Sequence, residues 1–156
     1  MSKTFIKFVK DVYGTNAFVP LHEPTFNDHE KVQVMETLES TFVSSIGKSI
    51  ENFESKIKKF TRSTGAIATV NGTAALHTSL FLSGVQNGDL VITQAISFIA
   101  ACNAISYLGA SPIFVDVERE SLGLCPDVAC EWLEKNAYID DKGMCRHRSS
   151  KAPIKA

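Results

Sequence analysis

The sequence predicts an α/β fold with a mostly parallel sheet and helices on both of its faces. Two observations predict it. Short apolar runs at 66–70, 90–94 and 112–117 alternate with helical stretches of ten or more residues, and strands that are apolar throughout, joined by helices, belong to sheets buried on both sides. The breaks between runs fall on Asn71-Gly72, Gly84, Asn87-Gly88-Asp89 and Gly109, residues that end helices and turn chains.

The elements follow in order. Pro20 and Pro24 bracket Leu21-His22-Glu23, so residues 1–27 are expected to form an extended arm. A helix is expected over 28–40, capped by Asn27 or Asp28, with Val32, Met35 and Leu38 at helical spacing. A small polar loop, Ser44-Ser45-Ile46-Gly47, separates it from a helix starting near Ser49 whose stripe is Ile50, Phe53, Ile57 and Phe60. A buried strand is expected at 66–70, then a helix over 73–83, a strand over 90–94, a helix over 97–108, a strand over 112–117 and a helix from Pro126 to about residue 136. Residues 28–141 are thus read as one partial domain. Residues 142–156 hold five Lys/Arg and no acid. They read either as a basic solvated tail or, at 152–156, as the first residues of a fourth strand on which the chain is cut short.

Composition narrows the function. The 156 residues are 44% hydrophobic and 21% charged, ordinary for a globular domain. A formal net charge of −1 provides no global field for nucleic acid or an anionic membrane, so neither is an expected partner. No stretch approaches the ~20 apolar residues of a membrane span. Cys102, Cys125, Cys130 and Cys145 form no C-x-x-C pair and no zinc-ligand spacing. They read as reduced thiols, which fits a cytoplasmic protein and no metal site.

The sharpest local feature is Val70-Asn71-Gly72-Thr73-Ala74-Ala75-Leu76. A strand ends, turns on a glycine and a helix begins, so the unpaired amides of the first turn and the positive end of the helix dipole face outward. Such a place suits phosphate. Gly72 allows close approach and the Thr73 hydroxyl adds a donor. The plainer possibility is a turn with Thr73 as the helix cap. Phe98 falls at the carboxyl end of the next strand, where open α/β sheets bind ligands, and its ring could stack on a flat heteroaromatic group or belong to the core. Asp116, at the end of the strand after that, reads more readily as a turn cap than as a ligand. Ser44 and Ser45 could face a polyhydroxylated substrate. No G-x-G-x-x-G follows a strand, which argues against a dinucleotide-binding domain.

Five ordered blocks carry a resemblance: Gly47-Lys48 with Phe53-Glu54; Ala68-Thr69-Val70-Asn71-Gly72-Thr73-Ala74-Ala75-Leu76; Gly88-Asp89-Leu90-Val91-Ile92-Thr93; Ser97-Phe98-Ile99-Ala100 with Asn103-Ala104-Ile105; and Gly109-Ala110-Ser111-Pro112-Ile113-Phe114-Val115-Asp116-Val117. Together they resemble the DegT/DnrJ/EryC1/StrS aminotransferases. The Phe18–His22 and Thr41–Ser45 segments are similar to members that aminate C4 of nucleotide-linked 4-keto-6-deoxy sugars for surface polysaccharide. The resemblance implies the N-terminal part of the type I pyridoxal 5'-phosphate (PLP) fold, homodimers with sites at the subunit interface, and nucleotide-sugar and glutamate substrates. It further implies that Gly72 and Thr73 hold the PLP phosphate, that Phe98 stacks on the pyridine ring, and that Ser44 and Ser45 lie near the sugar nucleotide. The family's Schiff-base lysine and its pyridine-pairing aspartate match no position here. By this resemblance the chain carries no catalytic residue and is expected to be inactive alone, its alternative being a non-catalytic binding or assembly module. An unpaired apolar strand edge would also make it prone to aggregate.

Overall fold

The computed structural model describes residues 2–155. The chain forms two compact units, Met1–Ala66 and Ile67–Ala156.

The first unit is helical. Helix α1, Lys3–Tyr13, starts at Ser2, whose side chain accepts from the Thr4 amide, and ends at Gly14 in the left-handed conformation (φ 61). The arm expected over residues 1–27 therefore contains a helix, and only the segment around Pro20 and Pro24 is extended. Helix α2, Asp28–Glu39, has a complete capping box: Asn27 Oδ1 accepts from the His29 amide at 2.9 Å, and Glu30 Oε2 accepts from the Asn27 amide at 2.7 Å. Helix α3, Lys48–Thr61, begins one residue before the expected start. No described residue of these helices is buried.

The second unit holds the sheet. Helix α4, Gly72–Leu82, is followed by strand β1, Leu90–Gln94, helix α5, Ile99–Tyr107, and strand β2, Ser111–Val115. β1 and β2 pair in parallel, Leu90 opposite Ser111 and Gln94 opposite Val115, so α5 is the crossover of a βαβ unit. α5 packs on both strands and on α4. Helix α6, Pro126–Asn136, opens on the expected proline and packs on β2 and on strand β3, Ala137–Ile139.

The core is small. Val85, Val91, Ile105 and Ala110 are buried together, with Leu80 and Leu108 against them. Asp89 is buried beside it and is hydrogen-bonded: its carboxylate accepts from the Gln86 amide at 2.8 Å, while its carbonyl accepts from the Ser111 amide at 2.9 Å. That arrangement ties the turn before β1 to the start of β2.

Three expectations change. Residues 66–70 pair with no strand among the described residues, and Ile67 and Val70 are 88% exposed. A strand is defined by its ladder, and apolar sequence alone does not supply the partner. The third predicted strand ends at Val115 because Val117 turns away to bridge antiparallel to Leu124. Residues 137–155 are also more ordered than a solvated tail. β3 pairs antiparallel with strand β4, Cys145–His147, across a turn at Gly143 (φ 77). Beyond it, Leu90 and Ile154 bridge in parallel: the Leu90 amide donates to the Pro153 carbonyl at 2.8 Å and the Lys155 amide to the Leu90 carbonyl at 2.9 Å. The bridge adds a neighbour to β1 on the side away from β2. Ala156, the last residue of that expected fourth strand, lies outside the described residues.

The hairpin is fastened by charge and rings. Arg146 Nε donates to Asp140 Oδ2 at 2.5 Å, and the Met144 and Lys142 amides donate to Asp140 Oδ1, each at 2.9 Å. These donors, led by Arg146, hold the Asp140 carboxyl down at about 2. Trp132 of α6 stacks on His147 of β4 with ring centroids 5.7 Å apart.

Candidate functional site

The residues singled out in the second unit lie at the starts of two packed helices. Asn71 is extended (φ −165) and caps α4: its Oδ1 accepts from the Ala74 amide at 2.8 Å, and its carbonyl accepts from the Ala75 amide at 3.1 Å. Asn71, not Thr73, is the cap, which leaves Gly72 as the first residue of the helix. The amides of Gly72 and Thr73 then have no acceptor among the described residues. Gly72 is exposed and Thr73 half-buried, and a Cβ built on Gly72 meets nothing within 4 Å. Two amides without an acceptor therefore stand at the positive end of α4, beside the open space around Gly72, with the Thr73 hydroxyl on the second of the two residues.

Phe98 is the N-cap residue of α5 and is 81% exposed, so its ring is not a core residue. The loop before it is steadied by Gln94, whose Nε2 donates to the Ile96 carbonyl at 2.5 Å. Asp116 is spent locally, its Oδ1 accepting from the Val117 amide at 2.8 Å. His77 meets Tyr107 edge to face at 5.8 Å and helps α4 seat on α5. Ser44 and Ser45 belong to the first unit. Ser44 lines an open hollow of about 660 Å³ between the facing parts of α2 and α3, together with Thr37, Ser40 and Ser49. Ser45 does not line it. The Ser44 hydroxyl accepts from the Ile46 amide at 3.3 Å.

This donor set fits the phosphate of a cofactor such as PLP, and an exposed aromatic ring at the neighbouring helix start fits a flat heterocycle. Two of the four lysines of this unit, Lys135 and Lys151, are engaged elsewhere. Lys135 is paired with Glu131 at 2.5 Å, which raises its pKa and keeps it protonated. Lys151 lies over the Tyr138 ring, 5.0 Å from its centroid. Asn71 is the functional contributor that sequence reading passed over. An Asn three residues before an amide inside a helical pattern is the capping signal that would have found it.

Comparison with known proteins decides the family. The profile of the DegT/DnrJ/EryC1/StrS aminotransferase family matches residues 24–138. The chain belongs to this family. A GDP-perosamine synthase from Escherichia coli O157:H7 is 41% identical over 104 residues, 67% of this chain and 29% of that protein. Among solved structures, an aminotransferase from Psychrobacter cryohalolentis superposes with a TM-score of 0.64 at 31% identity, covering 74% of this chain and 29% of that one. A sugar aminotransferase from Streptococcus pneumoniae, Spr1654 in its PLP form, gives 0.60 at 25% identity over the same shares. The chain thus spans about 29% of the length of these relatives. Its fold is the N-terminal part of the type I PLP-dependent transferase fold, with a parallel sheet as expected.

Proposed function

We propose that this chain supplies the phosphate cradle of a PLP-dependent aminotransferase that moves an amino group, from glutamate, to a nucleotide-linked 4-keto-6-deoxy sugar for surface polysaccharide. The observation that carries the reading is the pair of unpartnered amides at Gly72 and Thr73, at a helix start with room for a phosphate. The family, and the relative named for a GDP-linked amino sugar, support the substrate class.

PLP, when bound, supplies the reversible amino-group carrier and the electron sink of the reaction. The chain's own residues bind and orient. The Gly72 and Thr73 amides and the Thr73 hydroxyl donate to phosphoryl oxygens, and the α4 dipole favours the charge. Asn71 occupies the Ala74 amide and so fixes the direction of the free pair. Phe98 covers one face of the ring and excludes water from it. Ser44 and Ser45 offer hydroxyls to the sugar nucleotide. From the family resemblance we assign the whole protein to a homodimer in the cytoplasm. The segment described here holds the cofactor by its phosphate; of the four lysines of its unit Lys135 pairs with Glu131 and Lys151 lies over Tyr138, and by the family resemblance none of the four matches the Schiff-base lysine.

Borohydride treatment of the chain mixed with PLP, followed by peptide mass analysis, tests this division. Scattered trace labelling is expected. One lysine labelled stoichiometrically would show that the chain carries its own nucleophile.

A further inference from the structure

Helix α1 lies before residue 24, where the family match begins, and none of the cofactor reading involves it. At ~100° per residue, Lys3, Lys7 and Lys10 fall within about 60° of one another on the helix surface. Phe5, Ile6, Phe8, Val9, Val12 and Tyr13 fill about 160° of the other side. Lys3 and Lys7 are exposed, and the Lys10 ammonium donates to the Asn16 carbonyl at 2.7 Å, at the end of the helix. The apolar side is open: Phe5 is 53% exposed, Phe8 62% and Val12 65%. Among the described residues no other helix or strand packs extensively on α1. The segment after it keeps Phe18 and Leu21 almost wholly in solvent.

Charge selects the occupant. Residues 1–22 carry three lysines against a single acid, Asp11, beside the lysine stripe. The chain as a whole is at −1, so the net charge that argued against a membrane partner conceals a basic amphipathic end. We propose that α1 lies in the interface of an anionic lipid bilayer, its aromatic side among the acyl chains and its lysines reaching the phosphate headgroups. A short helix with a wide apolar side opposite a lysine stripe matches that boundary, where one surface is apolar and the next is negatively charged.

The test is flotation of the whole chain with phosphatidylcholine vesicles, with and without phosphatidylglycerol, because protein aggregates do not float. The chain is expected to float with the anionic vesicles, to stay behind with the neutral ones and to be released as ionic strength rises. The triple substitution K3Q/K7Q/K10Q and the double substitution F5S/F8S are each expected to lower the bound fraction at least about tenfold, with the circular dichroism of the remaining helices preserved. Three results would overturn the proposal: no flotation with anionic vesicles, flotation unchanged by both sets of substitutions, or a dimer in sedimentation velocity that F5S/F8S dissociates without any vesicle binding.

Discussion

Replacing Gly109 by alanine probes the joint that positions β1 and β2. Gly109 sits at φ +69, where a side chain costs about 1–2 kcal/mol. An added Cβ would also stand 2.4 Å from Asn87 Oδ1, 3.0 Å from its Cγ and 3.1 Å from its Cβ. The Oδ1 contact can be relieved by rotating Asn87. The Cβ contact cannot, because it is set by the backbone, and that backbone is tied down by the Gly88 amide donating to the Gly109 carbonyl at 3.0 Å. We expect Gly109→Ala to destabilise the second unit by about 2–4 kcal/mol, strain and clash together. Two controls separate them. Gly84 has φ +80 with nothing within 4 Å of its added Cβ, so Gly84→Ala isolates the conformational cost. Pairing Gly109→Ala with Asn87→Gly removes most of the clash and recovers 1 kcal/mol or more, by order of magnitude. Urea unfolding followed by Trp132 fluorescence measures all of them. A Gly109→Ala loss no larger than that of Gly84→Ala would refute the reasoning, since it would mean that the Asn87 turn yields freely.

The other predictions concern core, cap and charge. Ile105→Ala empties the centre of a four-residue core in which Ile105 is 2% exposed, and urea unfolding should show a loss of about 2–5 kcal/mol. Asn71→Ala removes the α4 cap and should cost about 1 kcal/mol; hydrogen exchange at the Ala74 amide should rise in step. Asp140 has a folded pKa of about 2 against an ordinary 3.8. Its contribution is therefore complete above the ordinary value and lost as pH falls from there toward 2. Asp140→Asn should flatten the acid side of the stability profile between pH 4 and 2, and acid unfolding curves that stay parallel for the two proteins would contradict that.

Much of the second unit was legible because its signals are local. β1 occupies the predicted 90–94, and Pro126 opens α6 where a proline at a first helical turn belongs. Misses arose where the outcome depends on partners. Residues 66–70 have strand composition but no described ladder, and no periodicity reports a neighbour. The β3–β4 hairpin was hidden by a count of basic residues, although Asp140-Asp141-Lys142-Gly143 between Ile139 and Met144 is a turn sequence. Helix α1 was lost to the prolines that follow it: its lysine and aromatic stripes were readable, and only Pro20 and Pro24 were given weight. At the site, Gly72, Thr73 and Phe98 could be chosen from the strand-glycine-helix pattern. Asn71 was passed over because Thr73, two residues further on, is also a capping residue type and took the weight.

The central claim is that the Gly72 and Thr73 amides grip a phosphoryl group, and Gly72→Pro tests it most directly. Proline is favoured at the first position of a helix and lacks the amide hydrogen. The extended Asn71 (φ −165, ψ 171) accommodates a following proline, and the space around Gly72 is open. The substitution therefore deletes one donor while sparing the helix. Calorimetric titration with pyridoxine phosphate, which has no aldehyde to trap a lysine, reads the cradle alone. We predict binding to the parent chain, weakening of ~10- to 100-fold in Gly72→Pro, and no comparable change for unphosphorylated pyridoxine. Equal affinity of the two proteins for pyridoxine phosphate, with the helix intact, would contradict the account.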